Sequence, residues 1–307
     1  MTIRVTVGVC VRNCENEIRY IVDRIHNQDF PHQNIEVLFV EEGSEDGTLS
    51  SIIKYAPTMD IEYRVYHHSW KGLGFSRNVI LNNARGDYLV WIDDGTVVLG
   101  DYVRKHVEYM DHLPAVGIAK GSIGAVSGLK PVATLQNLSQ LAFYYKYSGK
   151  FTTKLFGTGG SVYRVEAARQ VGGFDENIRG ATEDTDIAYR IIAAGWKIYI
   201  SPAKFFNTYD AQMKKILNKN FRYGYDSPFV MRKHKKLYEL LYKSTPIAGF
   251  LEGTLDFSAA YRTSKKKIAV FLPIFYFIKR TAWCLGFIKG YLHSLKKNRS
   301  AATTNRK

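Results

Sequence analysis

An α/β fold, with a mostly parallel sheet covered by helices on both faces, is expected from three features of this 307-residue sequence. Short β-branched runs alternate with stretches of helical periodicity. The intervals between the runs are of helix length, and several runs end in acidic residues and glycine. Such alternation implies right-handed βαβ crossovers. Arg4 to Val11 and Ile35 to Glu41 read as the first two strands, and between them Glu15 to Gln28 carries Ile18, Ile21, Val22 and Ile25 on one helical face. The pattern repeats with a helix over Thr48 to Tyr55, a strand over Ile61 to Tyr66, a helix over Phe75 to Asn83 and a strand over Tyr88 to Ile92. Beyond Ile92 the regularity falls away. Gly117 to Gly128 is glycine-rich and strand-like, Leu135 to Tyr147 is helical, and Gly157 to Val165 is a glycine turn feeding a strand. A helix starts near Asp184, buries Ile187, Ala188, Ile191 and Ile192, and stops at Gly195 in a left-handed cap. Lys197 to Ile200 is the last strand.

The length exceeds what one core usually fills, so a large domain with an appendage is expected. With 46% hydrophobic residues the chain can bury such a core. The net charge of +15 is uneven: residues 1 to 203 hold 21 Lys/Arg against 23 Asp/Glu, and residues 204 to 307 hold 22 against 5. The last third therefore expects an anionic partner, nucleic acid or a membrane surface. Its aromatic residues are grouped in apolar runs flanked by lysines, which favours the membrane and disfavours nucleic acid. The run Ile268 to Ile278, IAVFLPIFYFI, is too short to span a bilayer alone, and Pro273 is expected to break it into a hairpin-like interfacial element. Three cysteines, Cys10, Cys14 and Cys284, make neither a disulfide framework nor a zinc site. The chain opens on a strand, MTIRVTVGVCV, with no signal-like segment ahead of it, so export is not expected.

Three segments carry candidate chemistry. VWIDDGTVV runs a buried strand into Asp93, Asp94 and Gly95; this is either a turn or a metal or phosphate site at a strand tip. The second strand ends in EEGSEDGT, where Glu41 and Glu42 either form an acidic turn or accept hydrogen bonds from a base or ribose. KGLGFSRN places glycines and Arg77 at a helix start, where they can face an anion. The first strand leads into VRNCENE and not into a glycine fingerprint, which disfavours a dinucleotide oxidoreductase.

Taken in order, five segments resemble the family 2 glycosyltransferases of the GT-A fold, over roughly residues 3 to 230. EEGSEDGT resembles their Asp-Asp-Gly-Ser-x-Asp-Gly-Thr turn, GLGFSRN their Gly-x-x-x-Ala-Arg-Asn segment, and Asp93-Asp94-Gly95 their Asp-x-Asp motif. VGGFD and TEDTD resemble their Gly-Gly-Phe-Asp turn and the Glu-Asp that follows. The resemblance implies inverting transfer of a sugar from a UDP- or GDP-sugar, aided by Mg²⁺ or Mn²⁺ held by Asp93 and Asp94. It implies a donor side of Val11, Arg12, Asn13, Glu41, Glu42, Arg77, Asp93 and Asp94, and an acceptor side of Gly159, Gly160 and Arg222. Asp184 is the expected catalytic base, with Glu183 as alternative or orienting partner. Together with the basic, apolar C-terminal third, this leads to an expected lipid-linked or polyprenyl phosphate acceptor at the cytoplasmic face of the membrane. The expected division is a domain of residues 1–230, with a nucleotide-binding half (1–100) and an acceptor half (101–230), and a membrane-associated extension of residues 231–307. Two departures stand out. Glu41 and Glu42 replace an Asp pair, and Gly95 replaces the second Asp of Asp-x-Asp. A catalytically silent sugar-nucleotide-binding or scaffold protein is therefore the alternative.

Overall fold

The computed structural model describes residues 2–178 and 181–304. Its first part follows the expected alternation: β1 (Val5–Val11), α1 (Ile18–His26), β2 (Ile35–Glu41), α2 (Thr48–Tyr55), β3 (Glu62–His67), α3 (Leu73–Asn83) and β4 (Tyr88–Trp91). These strands lie side by side in the order β3-β2-β1-β4, all parallel. The chain steps outward from β1 to β3 and then returns to the far side of β1. With right-handed crossovers, that reversal puts α3 on the opposite face from α1 and α2 and opens a crevice beyond the carboxyl ends of β1 and β4. β2 is buried along its whole length, as a strand covered on both faces must be. The charge inside it, Glu36, is matched there by Arg64 at 2.7 Å, Arg85 at 2.8 Å and the Thr6 hydroxyl at 2.7 Å.

The second part adds β5 (Thr96–Val98), α4 (Tyr102–His112), β6 (Val116–Ile123), α5 (Pro131–Tyr147), β7 (Lys150–Thr152), β8 (Ser161–Arg164), α6 (Val165–Gln170), α7 (Glu183–Ala193) and β9 (Lys197–Asn207). β8 inserts antiparallel between β4 and β6, β9 runs parallel to β6, and β5 and β7 pair antiparallel with β9. The parallel character thus belongs to the first four strands and the β6–β9 pair. β9 runs well past the expected Ile200, through Pro202. The register slips between Lys120 and Ser122, and Pro202 falls in that irregularity, where a missing N–H breaks no ladder bond.

Alternate residues Leu38, Val40, Leu89, Trp91, Ile118, Tyr163 and Ile198 point to one face, where they pack with Ile80 and Leu81 of α3, Ala168 of α6 and Ile187 and Ile191 of α7. Trp91 stands edge-on to Tyr163 and to Phe174, with ring centroids at 6.2 and 5.7 Å. Each such side chain contributes about 1.5–3 kcal/mol by burial, so this layer fixes where β4 ends and Asp93 begins.

The chain gathers into two compact units. One comprises Met1–Gly124, Tyr147–Arg179 and Glu183–Thr208; the other comprises Ala125–Lys146, Gly180–Thr182 and Tyr209–Lys307. The second holds most of α5 together with α8 (Met213–Lys233), α9 (Pro246–Ser264) and α10 (Leu272–Thr304). Residues 209–230, which the sequence places with the first domain, gather here with the C-terminal helices because α8 packs along α10. Glycines make that approach possible. A Cβ at Gly224 would strike the Trp283 carbonyl, and one at Gly286 or Gly290 would strike the carbonyls of Phe221 and Tyr225.

The expected hairpin at Pro273 does not form. The proline is the second residue of α10, where no intrahelical N–H is required, and the helix runs on through Thr304. The turn comes earlier, at Lys265, whose φ of 57° ends α9 in a left-handed cap. Lys267–Leu295 forms a 29-residue stretch long and apolar enough to cross a membrane, by length and composition. Only 22% of its most apolar window is buried.

Candidate functional site

Two turns at the carboxyl ends of β1 and β2 are tied into one. Asn13 takes a left-handed φ of 52°, which asparagine tolerates better than most residues. Its N–H donates to Ser44 Oγ at 3.0 Å and its side chain accepts from the Glu45 N–H at 2.9 Å. The Cys14 N–H donates to Thr48 Oγ1 at 2.9 Å. Within this knot the two glutamates part ways. Glu41 is buried and its carboxylate accepts from the Ser44 N–H at 2.6 Å, the Gly43 N–H at 3.2 Å and His67 Nδ1 at 2.5 Å. Burial works to raise its pKa, yet those hydrogen bonds outweigh it and hold the carboxyl below the usual range. Glu42 is buried with Oε1 unpartnered. Burial pushes its pKa up, against the pull of Ser76, Arg77, His68 and Arg12. Glu41 therefore builds the turn, while Glu42 keeps one buried carboxylate oxygen without a partner. Val11 is the buried end of β1, and its carbonyl accepts from the Glu42 N–H at 3.0 Å. Exposed Arg12 lies over the Trp70 ring at 5.2 Å.

At the end of β4 the chain turns at once, the Thr96 N–H donating to the Asp93 carbonyl at 2.9 Å. The two carboxylates diverge. Asp93, with 36% of its side chain exposed, faces Arg77 at 3.7 Å and accepts from the Thr158 hydroxyl at 3.4 Å. Asp94 is exposed and accepts from the Gly95 N–H at 2.8 Å.

Around Asp93 lies a buried ionic cluster. Arg77 of α3 is paired with Glu183 of α7 and bonded to the Thr158 hydroxyl, with its guanidinium beside the rings of Trp91 (5.8 Å) and Phe174 (5.6 Å). Burial would lower the Arg77 pKa, but Glu183, Asp93 and Asp184 together raise it, so it stays charged. Glu183 is buried with Oε2 unpartnered; burial raises its pKa, and Arg77 opposes the rise. Asp184 is half-buried and accepts from the Thr185 N–H at 2.6 Å. Burial raises it as well, again against Arg77. Two motifs are fastened together nearby: Asn78 of α3 donates to the Phe174 carbonyl at 2.9 Å and accepts from the Phe174 N–H at 2.8 Å. Arg190 of α7 bonds the carbonyls of Val171 and Gly173 at 2.5 and 2.6 Å.

The Gly157–Gly160 turn runs between Asp93 and Asp184. A Cβ at Gly159 would sit 2.8 Å from Asp93 Oδ2, one at Gly157 would sit 3.2 Å from Asp184 Oδ2, and Gly160 has a φ of 67°. Only glycine lets the backbone lie this close to both carboxylates. Beneath the turn is Lys120 of β6, buried, its ammonium bonded to the carbonyls of Gly157 (2.9 Å) and Gly159. Burial lowers its pKa to about 8, although Asp93 and Asp184 pull it upward.

The structure thus brings Arg77, Asp93, Glu183, Asp184, Gly159 and Gly160 together and sets Glu41, Glu42 and Asn13 in the adjoining turn. Asp94 points elsewhere, and Arg222 belongs to α8 in the second unit. Lys120 and Thr158 were missed. The signal for Lys120 was a lone charge inside VGIAKGSI, a strand buried at every residue. Among the described residues, Asp93 belongs to no group of three possible metal ligands. A divalent ion here would draw its other ligands from donor phosphates and water, which suits oxygen-seeking Mg²⁺ or Mn²⁺.

The glycosyl transferase family 2 model matches residues 6–172, more than half the chain. The glycosyltransferase GlyA of Streptococcus pneumoniae is 36% identical over 118 residues, 37% of this chain and 16% of that one. The chain likewise spans only 28% of EpsH of Bacillus subtilis, so the match to these relatives is a fraction of their length. Across more of the chain, it is 21% identical over 234 residues to a dolichyl N-acetyl-α-D-glucosaminyl phosphate 3-β-D-2,3-diacetamido-2,3-dideoxy-β-D-glucuronosyltransferase of Methanococcus voltae, covering 71% and 72% of the two chains. The mannosyltransferase PcManGT of Pyrobaculum calidifontis, solved with GDP-Man and Mn²⁺, shares the fold with a TM-score of 0.67 at 18% identity, over 95% of this chain and 88% of that one. The chain belongs to glycosyl transferase family 2.

Proposed function

We propose that the protein transfers a sugar, with inversion, from a UDP- or GDP-sugar to a lipid-linked or polyprenyl phosphate acceptor at the cytoplasmic face of a membrane. The observation that carries this is the pair Asp93 and Asp184 on either side of the Gly157–Gly160 turn, at the carboxyl ends of the strands. The donor's nucleoside enters the crevice beside the Asn13–Ser44 turn, next to buried Glu42, whose unpartnered Oε1 is available to a ligand once side chains there move aside. Asp93 would hold a divalent ion together with the donor phosphates, and that ion would supply positive charge to the leaving nucleoside diphosphate. Asp184, its pKa raised by burial, takes the proton of an acceptor hydroxyl. With a phosphate acceptor, already ionised, it orients the nucleophile instead. Arg77 keeps Glu183 paired and Asp93 in place.

The lipid half of the reading rests on the second unit. α9 exposes Ile247, Phe250, Leu251 and Leu255 at helical spacing, and α10 exposes Ile274, Phe277, Leu285, Ile288 and Leu292. Lysines flank both stripes, as expected of helices seated in an anionic interface. The relative from Methanococcus voltae, named for a dolichyl-linked phosphate acceptor, and the GDP-Man complex of the structural neighbour support the same direction. A screen of UDP- and GDP-sugars with Mg²⁺ or Mn²⁺, with and without polyprenyl phosphate, tests the proposal. Donor binding without hydrolysis or transfer across the panel would establish the silent binding protein that Gly95 suggests.

A further inference from the structure

We propose that His26, His32 and Asp60 form a zinc-binding clip at the end of the sheet opposite the transferase site. His26 closes α1, His32 lies in the 3₁₀ turn His32–Asn34 that leads into β2, and Asp60 precedes β3. All three sit at the amino ends of parallel strands, whereas Asp93 follows the carboxyl end of β4. Among the described residues, theirs is the group whose His, Cys, Asp or Glu ligand atoms fall within 4.8 Å of one another.

The contacts already made draw the three side chains to one point. His32 Nδ1 lies 2.6 Å from Asp60 Oδ1, and its Nε2 lies 3.2 Å from the Gln28 carbonyl. His26 Nδ1 approaches the same Asp60 oxygen at 3.2 Å. Nε2 of His32 thus faces a backbone carbonyl, the partner that commonly lies behind a metal-bound histidine, and Nδ1 is the nitrogen directed at Asp60.

Two imidazoles and one carboxylate with open solvent on the fourth side suit Zn²⁺, while imidazole ligands disfavour Mg²⁺. Ligands about 2.0–2.1 Å from a tetrahedral zinc lie about 3.3 Å apart. The His26–Asp60 pair already has that spacing. The His32–Asp60 pair must open by about 0.7 Å to match it, which the exposed Asp60 side chain can do, since it is 69% exposed. Bound zinc would join the end of α1, the turn before β2 and the entry to β3.

The test is isothermal titration of the full-length, chelator-treated protein with zinc chloride, alongside His26→Ala, His32→Gln and the double variant. One equivalent should bind with a Kd of about 10 µM or tighter, weakened at least about tenfold in each single variant and lost in the double. His32→Gln keeps a hydrogen-bonding side chain toward Asp60, so loss of binding there is separable from misfolding. Absence of saturable uptake, or uptake unchanged in the double variant, overturns the proposal. Asp93→Asn should bind zinc like the wild type, so the clip is judged independently of the transferase reading.

Discussion

Replacing Lys120 by methionine removes a buried ammonium whose hydrogen bonds go to the backbone carbonyls of Gly157 and Gly159. Methionine matches the stem and leaves no charge. The lysine's pKa falls from 10.5 to about 8 on folding, chiefly through burial. A depressed cationic pKa means that the unfolded chain holds the proton more tightly than the native one. Wild-type stability should therefore rise with pH across the window from about 8 to 10.5. Linkage with these two values gives a gain of about 2 kcal/mol between about pH 7.5 and about pH 9.5. The methionine variant should lack that gain. At neutral pH it should be about as stable as the wild type, since the lost hydrogen bonds are offset by the removed burial cost. Urea unfolding followed by circular dichroism at the two pH values measures the difference of differences. Parallel slopes for the two proteins would refute the reasoning, because Lys120 would then titrate as an exposed lysine does. Turnover carries the second consequence. Without the ammonium the Gly157–Gly160 turn is free to shift between Asp93 and Asp184, and the rate should fall about 10- to 100-fold with the fold intact.

Three further outcomes are expected. Asp184→Asn should lower turnover by roughly 10² to 10⁴ and leave donor binding nearly unchanged; wild-type turnover with a hydroxyl acceptor would remove its role as base. Asp93→Asn should abolish turnover, whereas Gly95→Asp should stay active and lower the Mn²⁺ needed for half-maximal rate, provided that the Thr208 hydroxyl, 2.8 Å from the new Cβ, rotates aside. A wild type indifferent to chelators would sink the metal assignment. Serine at Phe250, Leu251 and Leu255 should weaken flotation with anionic vesicles, because each lost apolar side chain forfeits about 1.5–3 kcal/mol of burial. Undiminished flotation would leave the membrane contact to other surfaces.

The sequence by itself determined the first four strands and their helices. In those segments the residues that must be buried recur at fixed spacing along the chain, and local periodicity therefore reports burial directly. It also located the ends of β1, β2 and β4, because a cluster of polar residues follows each apolar run: Arg12 and Asn13 after β1, Glu41 to Gly43 at the end of β2, and Asp93 to Gly95 after β4. It did not reveal that β9 continues through Pro202, since the bulge that excuses the proline exists only in the pairing with β6. Pro273 was read as a break because its effect depends on its position in the helix, which the placement of the preceding turn at Lys265 decides. Only the tertiary structure separated Glu41, consumed by its own turn, from Glu42, whose buried Oε1 has no partner. It likewise paired Glu183 with Arg77 and seated Lys120 beneath the glycine turn. These choices depend on groups distant in sequence meeting in a space closed to water, where a charge must find its partner among the side chains and carbonyls that the fold brings within reach.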